Sequence, residues 1–192
     1  MYQNSNHYRY FKGLVLAATI LALSVVALGA YVRLTDAGLG CPDWPGCYGT
    51  LSVPQSEAAI IEAQTAFPQS AVVVGKAWRE MAHRYLAGTL GLLVLAIFVL
   101  GWKARTEIKS SPYTPSFLLL LIAFQAMLGM WTVTMLLKPA IVSAHLLGGM
   151  STLAVLTWLC HRHWGYYSSS IVTSSRLRLA IRLALLLLFM QI

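Results

Sequence analysis

Charged residues are scarce in this 192-residue chain: they make up 10% of the sequence, while hydrophobic residues make up 58%. Soluble domains carry about 25% charged residues, so the composition is typical of a chain built for lipid and not of a water-soluble domain. Acidic residues are especially few, six against 14 lysines and arginines, for a net charge of +8. The basic residues are spread over several loops without a recognition motif, so we expect no nucleic-acid partner.

The sequence also has no signal-peptide cleavage site and no motif typical of thiol oxidoreductases. The first apolar run is too long for the h-region of a signal peptide and ends in YVRLT, not in a small-residue cleavage site. We therefore expect it to be a retained helix. The three cysteines form no C-x-x-C motif, which makes a thiol oxidoreductase built on Cys41 and Cys47 the least favoured interpretation.

Four long apolar runs are present, at residues 11–32, 81–102, 116–137 and 140–159. About 20 apolar residues cross the hydrocarbon core of a bilayer, so each run predicts a transmembrane helix. A fifth run begins at Leu177, and the sequence stops inside it, so we expect part of a longer protein or the product of a truncated gene. We predict an all-α, polytopic four-helix bundle over residues 1–165, followed over 166–192 by a cytoplasmic loop and the start of a fifth helix.

The distribution of lysine and arginine predicts the orientation of the bundle. Nine of these residues lie before the first run, between the second and third runs, or after the fourth, and five lie on the opposite side. The positive-inside rule then places the N-terminus in the cytoplasm and the loop 33–80 outside. We expect a multi-pass protein of the bacterial inner membrane.

The long outer loop contains two cysteines, Cys41 and Cys47, in the segment AGLGCPDWPGCYG. Its prolines and glycines predict a compact turn that is compatible with bringing the two sulfurs within bridging distance. An oxidising compartment favours a disulfide there. Two interpretations stay open: a structural staple, or a redox-active pair that a short loop makes reducible.

The segment WREMAHRYLAGTLG places Glu80, His83 and Arg84 at the start of an apolar run. Ionisable side chains at membrane depth cost about 2.5–3.5 kcal/mol on insertion scales, so they are candidates for function. His145 lies in the fourth run, which crosses in the same direction, so His83 and His145 can reach similar depths. Facing histidines on two bundle helices can hold a haem, whereas an isolated one is often satisfied by an interhelical hydrogen bond.

Each of the residues around the two histidines has two possible interpretations. Glycines follow in HRYLAGTLG and HLLGGMS and either leave room for a macrocycle or allow close helix packing. Glu80 shares a helix face with His83 and either pairs with a neighbouring arginine or transfers protons beside a bound ligand. Arg33 and Arg84 lie at the same outer level, where each is a candidate contact for haem propionates or for lipid phosphate.

Four segments in this order resemble signatures of the haem A synthase (cytochrome oxidase assembly) family over about residues 29–156: GAYVRLTDAGLGCPDWPGC, WREMAHRYLAGTLG, QAMLGMWTVTMLLKP and IVSAHLLGGMSTLAVL. The resemblance implies a fold of two similar four-helix halves in tandem, of which this chain is the N-terminal half plus the opening of helix 5. It also implies an oxidoreductase that oxidises the C8 methyl group of haem O to a formyl group, giving haem A for cytochrome oxidase.

Individual roles follow from the same resemblance. His83 and His145 match the family's axial ligands for the substrate haem, and Glu80 matches its essential carboxylate. Cys41 and Cys47 match an outer-loop pair found in part of the family, which implies a disulfide that supports the haem pocket. The family's second histidine pair, which holds a haem b, belongs to the C-terminal half and is absent from these 192 residues.

The resemblance implies several partners. The ligands are haem O and haem A, and the chain lies in the lipid bilayer. The protein partners are haem O synthase, cytochrome oxidase and further copies of the chain in a homo-oligomer. Two other functions remain open from the residues alone. A di-histidine membrane cytochrome that passes electrons would also use His83 and His145, but would need no Glu80. A noncatalytic assembly factor that holds haem for an oxidase would bind haem without turnover.

Overall fold

The computed structural model describes residues 6–108 and 111–164, which form six helices. They are α1 (Asn6–Leu34), α2 (Glu57–Ala66), α3 (Val74–Lys103), α4 (Arg105–Ile108), α5 (Tyr113–Thr134) and α6 (Pro139–Trp164). In this described part of the chain, the only β pairing is an isolated bridge between Cys47 and Thr50. The predicted fifth transmembrane helix, which begins at Leu177, lies outside the described residues.

Four of these helices, α1, α3, α5 and α6, are long and apolar enough to cross a membrane. The prediction of an all-α, polytopic membrane bundle is therefore confirmed. The clearest difference from the predicted runs is at α3, which begins at Val74, seven residues before the apolar run. This extension places Glu80 within the second turn of a regular helix, where its side chain is directed by helix geometry.

The four long helices form a ring. α1 packs against α3 and α6, and α5 packs against the same two helices. Within residues 6–108 and 111–164, no Cα atom of α3 lies within 8 Å of one in α6, and none of α1 lies within 8 Å of one in α5. The helices that carry His83 and His145 therefore lie diagonally across the bundle, with α1 and α5 between them.

Packing is dense in one half of the bundle. The main apolar core includes Phe11, Val15, Ile97, Leu118 and Leu156, all of which are fully buried. These residues lie toward the end where α1 begins and α6 ends. The opposite end carries the connection 35–73 and is called the loop end from here on.

The connection 35–73 folds onto the first turns of α3. A second apolar cluster there includes Cys41, Cys47, Ala63, Ala77 and Met81. α2 contributes Ala63 to it, and the helix begins at an N-cap where Ser56 accepts a hydrogen bond from the Ala59 amide. The connection 35–73 is therefore packed against the start of α3.

Gly40 is the point of closest approach between this loop and α3. A Cβ added there would lie 2.6 Å from the carbonyl carbon of Lys76, and helix backbone cannot move aside as a side chain can. We expect Gly40→Ala to destabilise docking of the loop by about 1–3 kcal/mol, as overpacking does elsewhere. Thermal unfolding in detergent and proteolysis of the loop would measure this. The control is Gly13→Ala on α1, where an added Cβ meets nothing within 4 Å; equal loss in both variants would contradict the prediction.

Candidate functional site

His83 and His145 each pack against a glycine on a neighbouring helix. A Cβ added to Gly29 of α1 would lie 3.0 Å from Cε1 of His83, and one added to Gly129 of α5 would lie 3.5 Å from Cε1 of His145. Both histidines are half-buried. Each imidazole thus packs against a glycine of the adjacent helix. An alanine at position 29 would crowd His83, whereas one at position 129 would make an ordinary van der Waals contact with His145.

Gly29 and Gly129, called the glycine seats from here on, lie at similar depths. Gly29 stands five residues before the end of α1 at Leu34, and Gly129 stands five residues before the end of α5 at Thr134. At 1.5 Å per residue, each glycine lies about 7.5 Å below the loop end of its helix. The structure therefore brings the two predicted ligands to one level of the bundle.

Each imidazole lies along about one turn of the adjacent helix. His83 interacts with the main chain of Val25, four residues before Gly29, and His145 interacts with that of Gln125, four residues before Gly129. Within the described residues, Nδ1 of each ring is buried without a hydrogen bond of normal geometry. A ligating histidine commonly directs its second nitrogen at a backbone carbonyl, and these main-chain segments supply such carbonyls.

At this level α5 buries Leu128 and Val133, whereas the other three long helices bury few side chains. Among the described residues, α1 has no buried side chain between Ala22 and Val32, α3 has none between Met81 and Leu90, and α6 has none before Thr152. His83 and His145 fall within these stretches. In the described part of the chain, the two histidines therefore lie where α3 and α6 contribute no fully buried side chain.

The glycines that follow the histidines differ from each other. A Cβ added to Gly88, five residues after His83, would meet nothing within 4 Å, whereas one added to Gly148 would collide with the side chain of Gln125. Of the two interpretations offered for these glycines, close packing fits Gly148. Gly88 is exposed, so the space around it does not distinguish the two.

Glu80 is buried, and its carboxylate is held from two sides. Oε2 accepts a hydrogen bond of 2.9 Å from the Cys41 amide, and Oε1 accepts one of 2.5 Å from Nη2 of Arg84. The side chains of Glu80 and Arg84 are only 6% and 12% exposed. Of the two arginines that neighbour Glu80 in sequence, Arg84 is its partner in the structure.

Arg84 also binds the loop directly. Its Nη1 donates to the carbonyl oxygens of Asp43 at 2.9 Å, of Pro45 at 3.3 Å, and of Gly46. All three carbonyls lie inside the ring closed by Cys41 and Cys47, which are disulfide-bonded in the structure with a Cα–Cα distance of 4.8 Å. The disulfide loop, Arg84 and Glu80 therefore form one connected unit above His83.

The loop has its own internal clamp. The carboxylate of Asp43 accepts hydrogen bonds from the amides of Tyr48 and Gly49, at 2.6 and 2.8 Å. The phenol of Tyr48 donates to the Ala71 carbonyl at 3.1 Å. Burial, together with the nearby carboxylates of Glu80 and Asp43, raises the pKa of Tyr48 above its ordinary value. Tyr48 is thus a neutral, buried hydrogen-bond donor that joins both ends of the loop.

Comparison with known proteins assigns the chain to a family. Residues 12–192 match the COX15-CtaA family of cytochrome oxidase assembly proteins. The chain belongs to this family. The prediction made from the four signature segments is confirmed at that level.

Individual relatives of the cytochrome oxidase assembly family agree. Heme A synthase of Shewanella oneidensis is 52% identical over 140 residues, which cover 73% of this chain and 42% of the relative. Heme A synthase of Bacillus licheniformis is 32% identical over 119 residues, covering 62% and 33%. Protoheme IX farnesyltransferase 1 of Natronomonas pharaonis is 31% identical over 147 residues, covering 76% and 26%. The chain spans less than half the length of each relative, and no solved structure matches it.

Arg33 lies on the face of α1 that seats His83. It follows Gly29 by one helical turn toward the loop end, and its side chain is exposed. Arg84 differs, because its guanidinium is engaged with Glu80 and with the loop carbonyls. As candidate contacts for an anionic group beside His83, Arg33 is therefore the more available of the two.

Sequence reasoning missed the glycines that seat the histidines. Gly29 and Gly129 occupy equivalent places, one turn beyond Val25 and Gln125, yet neither stands at a fixed spacing from its histidine. The signal that could have found them is their equal distance of five residues from a helix end, which becomes visible only once those ends are known.

The Glu80–Arg84 pair should stabilise the docked loop. Arg84→Met would leave a buried carboxylate without its cation, so we expect a loss of about 3–5 kcal/mol. Adding Glu80→Gln should restore part of that loss, because the uncompensated charge is then gone. Thermal or chemical unfolding of the four proteins of this double-mutant cycle in detergent would give the coupling.

The matched control for this cycle is Arg79→Met. Arg79 hydrogen-bonds the Gly75 carbonyl of its own helix, so its removal should change stability by no more than about 0.5 kcal/mol. A cycle in which Arg84→Met and Glu80→Gln are simply additive would show that the ion pair does not hold the loop.

Proposed function

We propose that this chain forms the half of a haem A synthase that binds haem O, whose C8 methyl group the whole enzyme oxidises to a formyl group. The observation that carries the proposal is the pair of imidazoles seated against Gly29 and Gly129, at one depth, on helices that face each other diagonally. Membership of the cytochrome oxidase assembly family and the Heme A synthase relatives support it.

His83 and His145 would hold the iron of the haem. The bound haem supplies a redox-active iron and the methyl group that is changed. The glycine seats fix both rings before haem arrives, which lowers the ordering cost of binding. Arg33 would pair with a propionate, and Arg84 would reach one only by giving up part of its bonding to the loop.

Glu80 would act beside the methyl group as proton acceptor or as a stabiliser of developing positive charge. Its position on α3, three residues before His83, places it on the same helix face at the loop end. The Cys41 amide and Arg84 hold the carboxylate in a fixed direction, and a group with fixed charge is more effective than one that must reorient. The disulfide loop would thus act as the support of the catalytic carboxylate.

We place the protein in the bacterial inner membrane, with the N-terminus in the cytoplasm and the loop end outside, where a disulfide between Cys41 and Cys47 persists. Haem O would come from a haem O synthase; the likeness to Protoheme IX farnesyltransferase 1 supports this connection. Cytochrome oxidase would receive haem A, a haem b held elsewhere in the enzyme would pass electrons, and copies of the chain would form a homo-oligomer.

One observation favours a second candidate, a haem-holding assembly factor or electron-transfer cytochrome without this chemistry. Both carboxylate oxygens of Glu80 are engaged with the loop and with Arg84. A residue that serves only to anchor a loop would have the same contacts. The first experiment below therefore separates anchoring from catalysis.

We expect Glu80→Gln to leave haem bound and to make cells accumulate haem O. The amide keeps the shape of the side chain but loses its charge and basicity, and loss of a general base typically lowers the rate about 100-fold or more. Chromatography of extracted haems would give the ratio of haem A to haem O, and the absorption spectrum of the purified protein would report haem content. Glu62→Gln, at an exposed site on α2, is the matched control.

Arg84→Met serves as the second arm of this experiment. If Glu80 only anchors the loop, Glu80→Gln and Arg84→Met should change the ratio of haem A to haem O alike, or not at all. An unchanged haem A content in the Glu80→Gln cells would refute the catalytic role.

Haem binding itself should depend on the glycine seats. In Gly29→Ala, the new methyl group would meet the His83 ring at 3.0 Å and push it from its position, so we expect haem affinity to fall about tenfold, a change of about 1.4 kcal/mol. Spectral titration would measure this, with His83→Ala as the variant that lacks the ligand and Gly13→Ala as the control. A Gly29→Ala protein with native affinity and an unchanged spectrum would argue against His83 as an axial ligand.

A further inference from the structure

Gln125 is a buried polar side chain that the functions described above do not use. It lies in the middle of α5 and is only 6% exposed. Neither Oε1 nor Nε2 has a hydrogen-bond partner within residues 6–108 and 111–164. An unsatisfied buried amide lowers stability, so such a group calls for a physical explanation.

The structure makes a specific place for this amide. The side chain of Gln125 occupies the position that a Cβ on Gly148 would need, and a Cβ on Gly149 would lie 3.9 Å from its Oε1. Only glycine at 148 leaves that space. The nearby buried hydroxyl of Thr152 does not use the amide, because it donates to the Gly148 carbonyl at 2.9 Å.

The amide lies beside the histidine site, on its deeper side. The main chain of Gln125 interacts with the His145 ring, and Gly148 follows His145 by three residues along α6. One helical turn is about 5.4 Å, so the amide stands about one turn below the imidazole, away from the loop end. A group attached to the rim of a ligand bound at His145 can reach this depth.

The chemistry of the site defines what it would bind. α5 contains no Asp, Glu, Lys or Arg, and α6 contains none before Arg162. A carboxylate would find no cation here, whereas an uncharged group that both donates and accepts a hydrogen bond would match both ends of the amide. A hydroxyl on an otherwise apolar substituent fits this description.

We propose that Gln125 is a specificity-determining residue that binds the hydroxyl group of the farnesyl-bearing substituent of haem O. This inference rests on the proposed function. Protohaem, which carries a vinyl group in place of that substituent, has neither the hydroxyl nor the tail. A site built to hydrogen-bond a hydroxyl discriminates against the analogue that lacks it, because its own polar groups are then left unpaired. Gln125 would therefore help the bundle to select haem O over its precursor.

The test compares haem O with protohaem on the intact membrane protein in detergent. Gln125→Met replaces the amide with an apolar side chain of similar shape. We expect the ratio of the two dissociation constants, measured by spectral titration, to shift about tenfold toward protohaem in this variant. The contribution of the apolar tail is present in both proteins and largely cancels from the comparison.

Two further measurements distinguish recognition from packing. Gln125→Met should raise the melting temperature of the haem-free protein, because it removes an unpaired buried amide, while it weakens haem O binding. Gly148→Ala should displace the amide and lower the preference for haem O as Gln125→Met does. Gly149→Ala is the matched control, since its added methyl group makes only an ordinary contact and should leave the preference unchanged.

Each outcome has a defined meaning. An unchanged ratio of dissociation constants in Gln125→Met, with both haems bound, would overturn the role of Gln125 and leave the histidine site intact; it would indicate that water or packing satisfies the amide. If the wild-type protein bound neither haem, the proposed function would fail, and this proposal with it. A shifted ratio together with a raised melting temperature would establish recognition of the hydroxyl.

Discussion

The ion pair between Glu80 and Arg84 is the interaction on which the loop end of this bundle depends. A lone carboxylate at this place would be costly, because the side chain of Glu80 is only 6% exposed. Arg84 neutralises it and at the same time satisfies three loop carbonyls. One guanidinium therefore joins α3, the disulfide loop and the carboxylate into a single unit. The direction in which Glu80 points is set by the loop as much as by α3.

The second constraint is the difference between the two halves of the bundle. The half away from the loop is filled by fully buried side chains such as Phe11, Ile97 and Leu156, and it fixes how the four helices cross. At the loop end, buried side chains gather in the connection 35–73 and the first turns of α3, while α1, α3 and α6 bury few side chains around the two histidines. Close packing in the half away from the loop, together with the docked loop, therefore sets the positions of the helices that carry His83 and His145.

Much of this could be predicted from the sequence, and the remainder has identifiable physical reasons. The spans followed from hydrophobicity, because each helix must satisfy its backbone within lipid. His83, His145 and Glu80 stood out because ionisable groups are rare in such runs. The seats at Gly29 and Gly129 and the bonding of Arg84 to the loop could not be read in advance. They depend on which helices become neighbours and on how the loop folds back, which periodicity does not encode.

Gln125 has one explanation in the sequence and another in the structure. In the sequence it is one polar residue in a long apolar run, and interhelical hydrogen bonding is its ordinary explanation. The structure removes that explanation, since Gly148 provides space for the amide but no partner for it. Both histidines likewise keep a buried Nδ1 without a hydrogen bond of normal geometry. These three side chains lie within about one helical turn of one another in an otherwise apolar bundle. Unsatisfied polar groups there are costly in isolation, and a bound group that satisfies them together would recover that cost.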